Sequence, residues 1–317
     1  MKFSRLRIIL IINCFFLLAS AFAQKFEQGN YSDFDYGPHG VYGAHPQNNT
    51  TENITLKGIV LDKETNAPLA YVSVGILNGP WGTVTDTTGH FIFNIGQEID
   101  SDTLQLSIVG YSTLRISVKD FMSASDKTIR LSEKIQPLAE VTVTNSKQRV
   151  HTEIIGRQAV SKLVQVSVHN KKSADETIGS EMGMRYKTSR KNAIIKDFNF
   201  YVSANNFNFI KFRVNIYSVQ NDMPDSLLYD KQIFATVDHF KTGWTKIDLE
   251  QYNIQVHGGF IVTVQWIESR MDKKENPITI LPVALTPFSK NCYVRIASQD
   301  KWKRMAVNLS SFVTLAY

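Results

Sequence analysis

From Leu56 onward the chain is built from short apolar runs in which hydrophobic side chains fall on every second position, and this alternation narrows the fold more than any other feature. Ile59/Leu61, Val72/Val74/Ile76, Phe91/Phe93/Ile95, Leu104/Leu106/Ile108 and Leu114/Ile116/Val118 each put one apolar face on a strand. About seven such strands fit before Leu131. After Gly179 the pattern returns in Phe198/Phe200/Val202, Phe212/Val214/Ile216, Ile247/Leu249, Phe260/Val262/Val264/Trp266 and Val294/Ile296. Turn residues separate the runs: Asn66-Ala67-Pro68, Thr85 to Gly89, Asn205-Asn206, Pro224-Asp225, Lys241-Thr242-Gly243 and Gly258-Gly259. A strand with one apolar face needs a second sheet to cover it. The sequence therefore predicts an all-β protein, with one β-sandwich followed by a second sandwich, of which a jelly roll is one form.

The division of the chain follows from composition. Residues 1–23 combine Lys2, Arg5 and Arg7, an apolar run from Ile8 to Leu18, and Ala21-Phe22-Ala23, which is the pattern of an export signal cut between Ala23 and Gln24. The run is shorter than a bilayer span requires. Residues 24–54, rich in Gly, Asn, Tyr, Asp and His, read as a flexible leader, and 55–133 as the first sandwich. Residues 134–178 form a linker whose type stays open: Ala159, Leu163 and Val166 suit a helix, while Val164, Val166 and Val168 suit a strand. Residues 179–317 form the second sandwich. An exported protein of this kind belongs in the periplasm, on the outer-membrane surface or outside the cell. The formal charge of +6 falls to +3 once Lys2, Arg5 and Arg7 are removed, and the remaining cations are not clustered as nucleic-acid binding demands. Of two cysteines, Cys14 lies in the signal, so Cys292 has no intramolecular disulfide partner in the mature chain and reads as a buried thiol.

Particular segments of the first sandwich carry a resemblance. Gly58-Ile59-Val60-Leu61-Asp62, Ala67-Pro68-Leu69-Ala70-Tyr71-Val72-Ser73-Val74, Gly82 through Phe91, and Ser107-Ile108-Val109-Gly110-Tyr111 look like the carboxypeptidase-regulatory-like domain family. The resemblance implies a transthyretin-like or immunoglobulin-like sandwich of the kind found in envelope proteins, including the extension before the plug of TonB-dependent outer-membrane transporters. It implies an accessory domain and not the catalyst of a carboxypeptidase. Leu138 to Thr144 is similar to the strand that often follows this domain, but too little chain remains for a transporter barrel.

No motif for chemistry emerges. A zinc peptidase needs two ligands close in sequence, whereas His39, His45, His90, His151, His169, His239 and His257 are scattered, with His151 and Glu153 the nearest approach. Gly179-Ser180-Glu181-Met182-Gly183 does not order its residues as a nucleophile elbow, and no phosphate-binding glycine loop is present. Asp238, Asp248, Glu250 and Glu268 could pair as carboxylates only if the fold brought them together. The sequence thus predicts a non-catalytic protein with no cofactor and no metal. Its partner would be an envelope protein, in association with an outer-membrane complex, or a polysaccharide. For the polysaccharide, Trp244 and Trp302 are the candidate ligand-binding aromatics, beside turn or basic residues where a ring can meet a sugar face. A hydrolase hidden in residues 179–317 is the third reading.

Overall fold

The computed structural model describes residues 54–96, 102–134, 151–160, 165–167, 177–272, 277–285 and 290–317, all within one compact unit, Thr51–Tyr317. The signal, its cleavage site at Ala23 and Gln24, and the leader up to residue 53 lie outside the described residues. Among those described, the fold is all-β with one short α-helix and a 3-10 turn at Glu250–Tyr252, and no helix is long and apolar enough to cross a membrane.

The first lobe contains β1 (Ile54–Asp62), β2 (Ser73–Ile76), β3 (Gly82–Val84), β4 (His90–Ile95), β5 (Thr103–Ser107), β6 (Leu114–Ser117), helix α1 (Val118–Ser123) and β7 (Thr128–Leu131). They form a three-stranded sheet, β4-β1-β7, and a four-stranded sheet, β3-β2-β5-β6. Leu56, Val60, Phe91, Ile95 and Ile129 from one sheet meet Val72, Val74, Ile76, Leu104 and Leu106 from the other in a single core, which makes the lobe a sandwich. Two local expectations are corrected. The inward face of β1 is Leu56, Gly58, Val60 and Asp62, not Ile59 and Leu61, because the register with β4 sets Gly58 opposite Phe91. Val118 does not extend β6; it opens α1, capped by the Ser117 hydroxyl accepting from the Asp120 N–H at 3.4 Å, and it buries itself with Phe121.

The second lobe follows with β8 (Thr152–Gly156), β9 (Gln165–Ser167), β10 (Glu181–Val202), β11 (Ala204–Asn205), β12 (Phe209–Gln220), β13 (Met223–Leu227), β14 (Ile233–Asp238), β15 (Gly243–Asp248), β16 (Gln255–Arg270), β17 (Thr279–Leu285), β18 (Cys292–Arg295), β19 (Lys303–Met305), β20 (Val307–Leu309) and β21 (Ser311–Ala316). The open segment before Gly179 thus contributes strands, β8 against β21 and β9 against β17; Leu163, Val164 and Val168 lie outside the described residues. A ladder of ten strands runs through β10, whose first half pairs with β16 and β18 and whose second half pairs with β15 and β21. Between the halves the register with β16 slips at Thr188/Ala193. A slip of that kind bends a strand, and here it turns the ladder over on itself. Phe200, on the second half, meets Phe212 of β12 edge-on at 5.8 Å, and Phe212 meets Trp266 at 5.1 Å, so two layers face each other across one core.

Two turn assignments change as well. Pro224 and Asp225 lie within β13; the reversal is made by Asn221 and Asp222, with φ of 50° and 61°, the pair of positive angles that a two-residue hairpin turn requires. Gly258 and Gly259 do not reverse the chain. They lie inside β16 opposite the register slip, where Gly258 takes φ 67°.

Candidate functional site

Strand β2 is buried on both faces. Val74 and Ile76 point into the core of the first lobe, while Ser73 and Gly75 belong to the face that meets the second lobe. The loop after β18 lies against this face. A Cβ at Gly75 or Gly82 would collide with the Ser298 carbonyl oxygen, so both positions need glycine for the two backbones to approach. Gln299, next in the loop, takes a positive φ of 69° and inserts its side chain: Nε2 donates to the Ser73 carbonyl at 3.2 Å and to Ser107 Oγ at 2.8 Å, and Oε1 accepts from Gln105 Nε2 at 2.5 Å. The Asn78 N–H closes the contact on the Gln299 carbonyl at 2.9 Å.

Arg213 of β12 reaches the same face of the strand at its start. Its Nη1 donates to the Tyr71 carbonyl at 2.9 Å and its Nη2 to Ser73 Oγ at 2.8 Å and Gln265 Oε1 at 2.6 Å. The residue is 3% exposed, and its hydrogen-bond partners among the described residues are neutral oxygens. Burial pushes its guanidinium down to about 10, against the longer-range pull of the Glu181 carboxylate.

Glu181, at the start of β10, is the centre of an adjoining network. Its Oε1 accepts from Asn215 Nδ2 at 2.8 Å, from the Tyr217 hydroxyl at 3.1 Å and from the Thr263 hydroxyl; its Oε2 takes Arg295 Nε at 2.8 Å and Arg295 Nη2. Burial alone would raise this carboxyl, but the Arg295 charge and the hydrogen bonds outweigh it and hold it below the ordinary range. Burial raises the Tyr217 phenol, and the anionic Glu181 adds to the shift, so Tyr217 stays a neutral donor.

Beside this seam the lobes enclose a cleft of about 780 Å³. One wall is the outer face of the three-stranded sheet, with Lys57, Ile59, His90, Ile92 and Thr128; the floor is Val84 to Thr87; the far wall holds Tyr71, Ile178, Ile267 and Glu268. Ile92 is 66% exposed. Tyr71 is held with φ 61°, an unusual angle for an aromatic residue, by its N–H on the Thr85 carbonyl, its carbonyl on Arg213, and its hydroxyl donating to Glu268 Oε2 at 2.8 Å while accepting from Lys211 Nζ at 3.1 Å. Burial raises its phenol, Lys211 acts against the shift and Glu268 with it. Two further polar groups of the cleft, Asp86 and Lys127, are likewise tied to the frame. Asp86 Oδ1 accepts from the N–H groups of Thr88 and His90, forming the turn expected of it, with Gly89 at φ 81°. Lys127 Nζ donates to the carbonyls of Phe121, Met122 and Ala124, at the end of α1.

The remaining candidates are placed as follows. Trp244 is half-buried and meets Tyr201 at 5.4 Å and Phe312 at 5.0 Å, both edge-on. Trp302 belongs to a different group: it meets Tyr217 edge-on at 5.7 Å, and the Arg295 guanidinium lies over its ring at 4.7 Å. Among the carboxylates, Glu268 lines the cleft, Asp248 accepts from the Glu250 N–H, Glu250 pairs with Lys196, and Asp238 is exposed on β14. His151 stacks on Tyr317 and Glu153 pairs with Arg190. Among the described residues no group of three or more His, Cys, Asp or Glu side chains is placed to hold a metal ion. Cys292 is fully buried, and burial pushes its thiol up to about 12. The sequence reading missed Arg213, Glu181 and Gln299; Arg213 and Gln265 stand between apolar residues of β12 and β16, where alternation assigns them to a solvent face.

The structure defines an all-β, two-lobed protein with a polar seam and an adjoining cleft. Residues 56–143 match the CarboxypepD_reg-like domain, over all the segments on which the resemblance rests and ten residues beyond 133. No curated protein matches the chain. Among solved structures it is similar to the cysteine protease and lectin-like domains of Cwp84, a surface layer associated protein of Clostridium difficile, at 11% identity and a TM-score of 0.37, covering 78% of this chain and 58% of that one. A clostridial Cwp84 structure after propeptide cleavage gives 10% identity and 0.38, with coverage of 85% and 72%. An infectious bursal disease virus particle gives 9% and 0.25, with coverage of 83% and 60%.

Proposed function

We propose that the protein is an exported, non-catalytic component of the cell envelope, serving as an interaction or structural accessory module for an envelope protein or outer-membrane complex. The observation that carries this reading is the cleft. Several of its hydrogen-bonding groups, Asp86, Lys127 and the Lys211–Tyr71–Glu268 chain, are spent on fixing the frame, while its apolar side chains, Ile92 above all, face the open space. Such a surface suits shape recognition more than proton transfer, since a general acid or base must be able to reach a substrate atom. The CarboxypepD_reg-like match and the signal-like pattern of residues 1–23 agree with it. The test is a crosslinked pull-down of tagged residues 24–317 from intact cells of the native host, identifying proteins and glycans together. Reproducible recovery of one envelope protein is the expected result; recovery of polysaccharide alone contradicts it.

A second reading, carbohydrate binding, draws on the half-buried Trp244 in its cluster with Tyr201 and Phe312. Glycan retention that disappears in a folded Trp244→Ala/Trp302→Ala double variant would favour it; unchanged retention excludes those two rings.

A further inference from the structure

The contacts on β2 have a common property: two separate elements of the second lobe converge on Ser73, at the start of the strand. Arg213 takes the Tyr71 carbonyl and the Ser73 hydroxyl, while Gln299 takes the Ser73 carbonyl and the Ser107 hydroxyl. Gln265 reaches Ser73 Oγ as well, at 3.3 Å. The Ser298 carbonyl closes over Gly75 and Gly82. We propose that Arg213 and the Ala297–Asp300 loop form a latch that makes the two lobes a single cooperative unit, so that the CarboxypepD_reg-like lobe is not a hinged module on this chain.

The reason is the absence of a stable half-open state. Arg213 is a buried cation whose acceptors lie on both sides of the seam, Gln265 on its own lobe and Tyr71 and Ser73 on the other. A small separation that kept water out would strip the cation of two acceptors without hydrating it, which is the most expensive arrangement for a charge. The seam must then be either fully closed or fully wet. Gln299 points the same way. A non-glycine residue in the left-handed region persists where its surroundings over-determine it, and four hydrogen bonds into the first lobe do so here. Opening would release that strain and lose all four bonds together.

Hydrogen exchange of the full chain, followed by mass spectrometry through a urea series, tests the latch. In the native protein the amides of β2 and β5 and those of β12 and β16 are expected to lose protection at one common urea concentration. In Arg213→Met the β2 and β5 amides are expected to exchange about ten- to a hundredfold faster relative to those of β16, the scale set by losing hydrogen bonds to a charged group. Gln299→Gly, which keeps the backbone angle and deletes the inserted side chain, is expected to split the transition in the same sense and serves if the Arg213 variant does not fold. Two separate transitions in the native protein would overturn the proposal, as would a single shared transition in a folded variant.

Discussion

Replacing Glu181 by alanine removes the one carboxylate that five donor groups address, and its consequence can be worked from the geometry. Asn215, Tyr217 and Thr263 lose their acceptor, and Arg295 keeps a guanidinium, 14% exposed at the side chain, without its hydrogen-bonded carboxylate, Asp300 acting on it only through its field. Breaking a buried ion pair by deleting one partner costs about 3–5 kcal/mol, mostly because the remaining charge stays desolvated. With a urea slope of about 3 kcal/mol per molar, at the upper end of the range because the chain is long, the midpoint should fall by roughly 1–1.7 M. Urea denaturation of residues 24–317, followed by tryptophan fluorescence, reads this directly, since Trp302 lies against both Tyr217 and Arg295. Adding Arg295→Met should recover part of the loss, because it removes the stranded charge. A Glu181→Ala midpoint within about 0.3 M of the native one, a loss below roughly 1 kcal/mol at that slope, would refute the claim that this network is dry and charged.

Other consequences follow from the same structure. Glu181 titrates in the fold below its unfolded value of 4.5, so its stabilisation is complete above that pH and is lost as the pH falls through the folded value; acid unfolding below about pH 4.5 should be shallower in Glu181→Gln, read by circular dichroism. Gly82→Ala drives a methyl group into the Ser298 and Val74 carbonyls and should cost about 1–3 kcal/mol or more, while Gly110→Ala, where a Cβ meets nothing, suffers only from its φ of 88°. Cys292 should not react with an aromatic disulfide reagent at pH 8 in the native protein and should react fully in denaturant, because it is both enclosed and held as a thiol.

The strands were legible because alternation is enforced wherever one face is buried. Val72, Val74 and Ile76, and Phe212, Val214 and Ile216, are all core residues as the pattern required. What alternation does not reveal is a second burial. Thr263 and Gln265 occupy the polar positions between Val262, Val264 and Trp266, and a solvent face would have the same residue types there. They are buried because other polar side chains and the first lobe cover them, a fact set by tertiary contact and absent from local sequence. Glu181 was hidden for the same reason: nothing in Gly179-Ser180-Glu181-Met182-Gly183 marks it as buried, and its partner Arg295 lies more than a hundred residues away. The errors in turns have a local cause. Pro224-Asp225 has the composition of a turn, but it is Asn221-Asp222, a pair that tolerates two consecutive positive φ angles, that reverses the chain. Gly75 and Gly82 could have been recognised as close-approach sites, since a glycine inside a short apolar strand loses packing unless another backbone needs its space.

The most direct test of the account places a photo-crosslinking amino acid at Ile92, in the cleft, and separately at Ile154, exposed at 53% on β8 outside it, and irradiates cells of the native host. The account predicts a discrete adduct with one envelope protein from position 92 and none from position 154. Equal adducts from both positions, or none from position 92 while the protein is folded and exported, would contradict the assignment of the cleft as the interaction site.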